Sequence, residues 1–213
     1  MDVKTAYYLL LVDLKGSTQL QPERARPVFE RLEEVLHQMN MSCAQSLVIP
    51  LSISYGDEIA GLFSSATPLY DVASTVRDAL LSDLRIRFVV SRGTIGMPSQ
   101  DIRQIGGDIF KQANDAMIRI KKRKRFCCWL IADDVQNTVL DTLTETTNAL
   151  LGGMTAYQRQ VYVLFRQGLA QNAIARKMNK HPQSISDALA RGHGEIVLDA
   201  ERAIDLIIQS ICQ

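Results

Sequence analysis

"LLVDLKGSTQL", Leu10 to Leu20, decides how this chain is read. An apolar run from Tyr7 to Val12 stops at Asp13, and Lys15, Gly16, Ser17 and Thr18 then make a small-residue turn. A run of that length bounded by turn residues reads as a strand buried on both faces. Ending on a carboxylate, it presents a charge at the edge of a sheet. Asp13 has three readings: a ligand for a metal, a group near a phosphate, or an acceptor for the backbone N–H groups of Ser17 and Thr18 in an Asx-type turn.

Working outward from this strand, Pro22 opens a helical stretch in which Val28, Phe29, Leu32, Val35, Leu36 and Met39 recur at helical spacing. Residues 46–63 read as a hairpin, with Tyr55-Gly56-Asp57 near its turn. Pro50 lacks an N–H, so the first arm is an edge strand or bulges there. Residues 68–81 form a second amphipathic helix. Residues 84–95 alternate, which predicts a half-buried strand with Arg85 and Arg87 outward. Gly106-Gly107-Asp108 starts a helix that runs to about Lys122, FCCWLI (126–131) is a strand, and Asp133 caps a helix running into Leu150. Strands and helices alternate with antiparallel signals among them. An α/β sandwich with helices on one sheet face fits better than a doubly wound parallel sheet.

After Leu151-Gly152-Gly153, which breaks the helical run, strand signals cease. Thr155 caps a helix that Gly168 ends. Gln171 to Met178 is a short helix, Asn179 and Lys180 turn the chain, and Pro182 suits a first helical position. Ile196 to Ile211 carries a wide apolar stripe, expected to serve both core and dimer interface. The division is thus residues 1–150 and 151–213.

Bulk numbers fit a globular protein: 213 residues, 46% hydrophobic, 22% charged, net charge +1. Any polyanion surface must come from local clustering. Cys43, Cys127, Cys128 and Cys212 contain no C-x-x-C pair and read as free thiols. The longest N-terminal apolar run is too short to span a bilayer, and no signal peptide is recognisable. A cytoplasmic protein with no membrane partner is expected.

The segment from Met154 to Arg191 resembles the helix-turn-helix of the sigma-factor region-four and LuxR-type superfamily. The likeness lies in Thr155-x-x-Gln158-Arg159, Gly168-Leu169, Ile174-Ala175 and Ser184-Ile185-Ser186. Ile174, Met178, Ile185 and Leu189 would form its small core, with Ala175 where two helices cross. Between 151 and 190, Arg159, Arg166, Arg176, Lys177 and Lys180 face a single anion, Asp187. A phosphate-facing surface needs such an excess. The expected DNA contacts are Arg176, Lys177, Lys180, His181, Gln183, Ser184, Ser186 and Arg191. Short polar side chains at the start of the third helix would reach base edges. A helical bundle used for protein contacts is the alternative.

Asp57 gives Asp13 a candidate partner: two carboxylates at neighbouring strand ends would suit Mg²⁺. "VDLKGST", "SYGDEIAGLF" and "IGGDIFKQANDAM" resemble three segments of class III nucleotide cyclases, over roughly residues 5–131. The SatD family is a closer resemblance over nearly the whole chain. "DLKGS", "YGDEIAGLF", "RIRFVVSRGTI", "GGDIFKQANDAMIRIKK" and "SISDALARG" each resemble its segments. That family pairs a cyclase-like N-terminal region with a C-terminal helix-turn-helix and is described as regulatory or DNA-binding. The resemblance implies metal ligands at Asp13 and Asp57. It also puts the base-selecting lysine position on Ser54 or Tyr55, neither of them Lys. The asparagine and arginine that steady the transition state fall near Lys111 and Asp115. An anionic Asp115 cannot stabilise a transferring phosphoryl group, so weak or no cyclase activity is expected. Gly16, Ser17, Thr18 and Lys111 remain as candidate nucleotide contacts.

"IRIKKRKRF" places Arg119, Lys121, Lys122, Arg123, Lys124 and Arg125 within seven positions. It reads as a solvated helix end favoured by the dipole or as a second phosphate-contact patch. His37, His181 and His193 share no ligand spacing. The chain is therefore expected to be α+β: a ferredoxin-like, nucleotide-cyclase-like sandwich followed by an all-α helix-turn-helix domain. The expected function is DNA-binding transcription regulation by a homodimer whose first domain senses a ligand or dimerises. The alternative is a divergent Mg²⁺-dependent class III-like cyclase or nucleotidyl-transfer enzyme.

Overall fold

The computed structural model describes residues 1–3 and 5–212, with Tyr55 described through its backbone only. In chain order the elements are β1 (Tyr7–Lys15), a 3₁₀ turn (Ser17–Gln19), α1 (Pro22–Ser42), β2 (Leu47–Tyr55), β3 (Glu58–Phe63), α2 (Leu69–Leu80), β4 (Arg85–Gly93), α3 (Ile102–Ile105), α4 (Asp108–Arg123), β5 (Cys127–Leu130) and α5 (Asp134–Gly153). Four further helices follow: α6 (Ala156–Arg166), α7 (Gln171–Met178), α8 (Pro182–Arg191) and α9 (Gly194–Ile211).

β1 is buried along its length from Tyr7 to Leu14 because it sits in the middle of a five-stranded sheet ordered β2-β3-β1-β4-β5. The first four strands pair antiparallel, and β5 adds parallel to β4. With α1 and α2 as crossovers, β1 to β4 make the split βαβ arrangement of ferredoxin-like folds. A strand buried on both sides needs cover on both sides, and the structure supplies it. Tyr7, Leu9 and Leu11 pack with Ile109, Ala113, Ala116, Met117 and Ile120 of α4. The alternate residues of β1 point to the other face, where α2 lies: the Tyr70 ring is 6.5 Å from Trp129, itself edge-on to Phe88 at 5.6 Å. This corrects the expectation of helices on one face only. β4 also departs from simple alternation, since Phe88 to Ser91 are all buried beneath the same two layers.

Pro50 behaves as read: β2 is an edge strand, and its register against β3 shifts between Ile49 and Ser52. Glycines 152 and 153 do not break α5 but finish it, open space lying around both. Contacts divide the chain into Met1–Asp141, joined by the residues from Ile207 onward, and Thr142–Leu206. The division therefore falls inside α5, ahead of the expected boundary at 150.

Within the second unit, Val161, Ile174, Ala175, Ile185, Ala188 and Leu189 form a small core, with Met178 packed half-buried against it. Thr155 and Gln158 close a capping box on α6. Asn179, in the left-handed region at φ 52°, ends α7, and His181 caps α8 with Pro182 next. Among the described residues, no helix is long and apolar enough to cross a membrane.

Candidate functional site

At the far end of β1, Asp13 lies opposite Glu58 of β3 and Arg87 of β4. Directly paired strand residues share a face, here the α4 face. The Asp13 carboxylate is nearly buried and held by two cations. Lys121 Nζ at the end of α4 is 2.5 Å from Oδ1, and Arg87 Nη1 is 3.5 Å from Oδ2. Side-chain exposure is 11% for Asp13, 14% for Arg87 and 43% for Lys121, so the lysine is the solvent-facing member.

Asp57 reaches the same place from the hairpin. Its backbone carbonyl accepts from Leu14 N–H at 3.2 Å, and its carboxylate accepts from the Ser17 hydroxyl. That hydroxyl also lies 3.0 Å from the Leu14 carbonyl. Gly16, at φ 90°, turns the chain so that Ser17 folds back under it, a conformation that favours glycine. Glu58 stands beside this group, half-buried. Burial lifts its carboxyl above the ordinary carboxylate range. Lys121 opposes the shift, and the charges of Asp13 and Asp57 add to it.

The structure thus gathers Asp13, Asp57, Gly16 and Ser17. Thr18 is exposed. Lys111 is exposed ten positions before Lys121, about 15 Å away along α4 at 1.5 Å per residue, and takes no part in the cluster. Asp115 is exposed as well. Ser54 donates to the Glu58 carbonyl at 3.2 Å, whereas the Tyr55 side chain lies outside the described residues. Sequence reasoning left out Arg87, Glu58 and Lys121 as members of this cluster. Strand register supplies the first two; the third was visible only as one cation in a run.

The carboxylates were expected to hold Mg²⁺. As arranged they do not fit it: both Asp13 oxygens face cations, one Asp57 oxygen is taken by Ser17, and no group of three His, Cys, Asp or Glu side chains suited to a metal occurs among the described residues. Lys121 Nζ already occupies the coordinating side of Asp13 Oδ1.

Beside the cluster, a cleft of about 240 Å³ is bordered by Leu11, Ser54, Glu58, Phe110, Arg103 and Asn114. The Arg103 guanidinium turns to Asp101, 2.7 Å from Oδ2, and holds that carboxyl down at about 2.

In the second unit, three residues connect α7 to α8. Arg176, Lys177, Lys180, His181, Gln183, Ser184 and Arg191 are exposed, and Ser186 is half-buried. His181 Nδ1 accepts the Gln183 N–H at 3.2 Å, which makes this histidine a cap. The Gln183 amide donates to Asp187 at 2.9 Å along the same helix. Arg166 and the buried Glu201 pair at 2.8 Å, tying α6 to α9.

No family model and no curated protein matches the chain. The likeness to SatD proteins therefore rests on the quoted segments alone. Solved structures that resemble it include a bacterial light-regulated adenylyl cyclase, at TM-score 0.41 and 12% identity, covering 59% of this chain and 75% of that one. A second structure of a bacterial light-regulated adenylyl cyclase scores 0.40 at 11% identity, covering 59% and 43%. The adenylyl cyclase CyaB from P. aeruginosa scores 0.38 at 16% identity, covering 54% and 71%.

Proposed function

We propose that this chain is a DNA-binding regulator of the SatD type. In this reading Thr142–Leu206 contacts DNA and the α/β unit senses a ligand or pairs with a second copy. One observation supports it most. α8 opens on exposed Gln183 and Ser184, with Arg176, Lys177, Lys180 and Arg191 exposed around it, and the nearby anion Asp187 is engaged by Gln183. Short polar side chains at a helix start suit base edges, and the cations suit phosphates. Ligand binding to the α/β unit would change DNA affinity only by favouring one arrangement of the dimer over another. The test is selection of genomic fragments by the wild type, followed by Gln183→Ala and Arg176→Ala. Unchanged binding in both variants removes the reading.

A second reading, a class III-like nucleotide cyclase or nucleotidyl-transfer enzyme, draws on the convergence of Asp13 and Asp57. It requires Lys121 to leave Asp13. Calorimetric titration with ATP and GTP, with and without Mg²⁺, followed by assay for cyclic product, decides it: product makes the chain an enzyme, and no binding retires the reading.

A further inference from the structure

The cation run at the end of α4 is not an isolated helix terminus. Strand register brings two more cations to it. Lys15, the last residue of β1, pairs directly with Arg85, the first of β4. Lys15 follows Asp13 by two positions and Arg85 precedes Arg87 by two, so both lie on the α4 face, about 7 Å further toward the same end of the sheet. Lys121 anchors the end of α4 to Asp13. Lys122, Arg123, Lys124 and Arg125 then lead into β5, where the Phe88 N–H meets the Phe126 carbonyl at 3.0 Å. One end of the sheet therefore carries Lys15, Arg85, Lys122, Arg123, Lys124 and Arg125, all exposed.

Helix-dipole stabilisation accounts for Lys121 to Arg123. It does not account for Lys15 opposite Arg85, since like charges directly across a strand pair destabilise it. Asp13 cannot relieve them, being committed to Arg87 and Lys121. Among the described residues, Lys15, Arg85, Lys122, Arg123 and Lys124 form no ion pair. These five exposed cations without an ion pair along one edge suit an external polyanion.

We infer that this edge of the α/β unit binds the phosphate backbone of duplex nucleic acid. A row of cations spread over three elements has the shape of a backbone contact rather than of a pocket for one phosphate. The apolar side chains exposed among the described residues include no aromatic. Single-strand binding uses stacked aromatic platforms, so single strands are less well served here than a duplex. The inference does not depend on α8 reading bases.

The test measures binding of the full-length protein to a short labelled duplex from about 50 to about 300 mM salt. It compares wild type, an edge variant (Lys122→Gln, Arg123→Gln, Lys124→Gln) and a helix variant (Arg176→Ala, Lys177→Ala, Gln183→Ala). Each phosphate contact contributes about 0.9 to the slope of log K against log salt. The edge variant is expected to have a slope shallower by roughly 2 to 3 for any duplex sequence, with an unchanged melting midpoint because its three side chains are exposed. The helix variant keeps low-salt binding. An edge variant equal to wild type overturns the inference, as does a wild type that binds no duplex at low salt. It is also overturned if the edge variant loses only binding to phosphatidylserine vesicles, which assigns the edge to a lipid surface. A helix variant equal to wild type removes base reading by α8 and leaves the edge standing.

Discussion

Asp13 illustrates what a single residue shows in sequence and what it conceals. Its place at the end of a buried strand was legible, because apolar periodicity is a local property. Its partners were not, because Lys121 comes from a helix more than a hundred positions away and Arg87 from a strand whose register no local pattern sets. Asp13 and Arg87 are a nearly buried pair, where removing one strands the other, while Lys121 covers Asp13 from the solvent side. Asp13→Ala should lower stability by about 2–3 kcal/mol, since Arg87 is left with little solvent. Lys121→Met should cost less than about 1 kcal/mol, because Lys121 is much more exposed. Denaturant melts of the two variants check the order, and equal losses would contradict the assignment. Glu58 gives a pH signature. Its folded pKa lies above the ordinary value of 4.5, so between the two the folded state holds more protons than the unfolded chain. That contribution to stability is complete below 4.5 and is lost as pH rises through the folded pKa. Glu58→Gln should therefore melt higher than wild type at neutral pH, with the gain vanishing in acid.

Elements with local signals were read well: the Thr155 cap, Pro22 and Pro182 at helix starts, and the hairpin around Gly56. Their determinants lie within a few residues of one another. Which face each helix covers was not legible, since that depends on how distant elements cross. α3, a single turn, has too few residues to show a period. Gly107 marks the junction where α4 is set against the sheet. At φ 104° it occupies backbone space that side chains avoid, and a Cβ there would come within 2.4 Å of the Gly96 backbone nitrogen. Gly107→Ala should therefore displace the start of α4 and cost more than about 3 kcal/mol. Hydrogen exchange should show the loss first in Ile109 to Ala113; an unperturbed α4 would refute this.

Across the whole molecule, the alternation of strands with helices announced a mixed α+β chain, but not the parallel addition of β5. Pairing order depends on encounters between segments far apart in sequence. The same non-local geometry bears on metal dependence. With Lys121 as resident cation on Asp13, chelation should leave the melting midpoint unchanged within about a degree. A drop of several degrees with EDTA, restored by Mg²⁺, would show that a metal displaces the lysine. The two borders of the sheet carry another consequence. β2 offers Pro50, which has no N–H, and a ladder that loses register three times. β5 is four residues long. Neither border gives an incoming chain a straight run of free donors and acceptors. Fibrous growth by strand addition is blocked on both sides, and self-association is left to helices and loops.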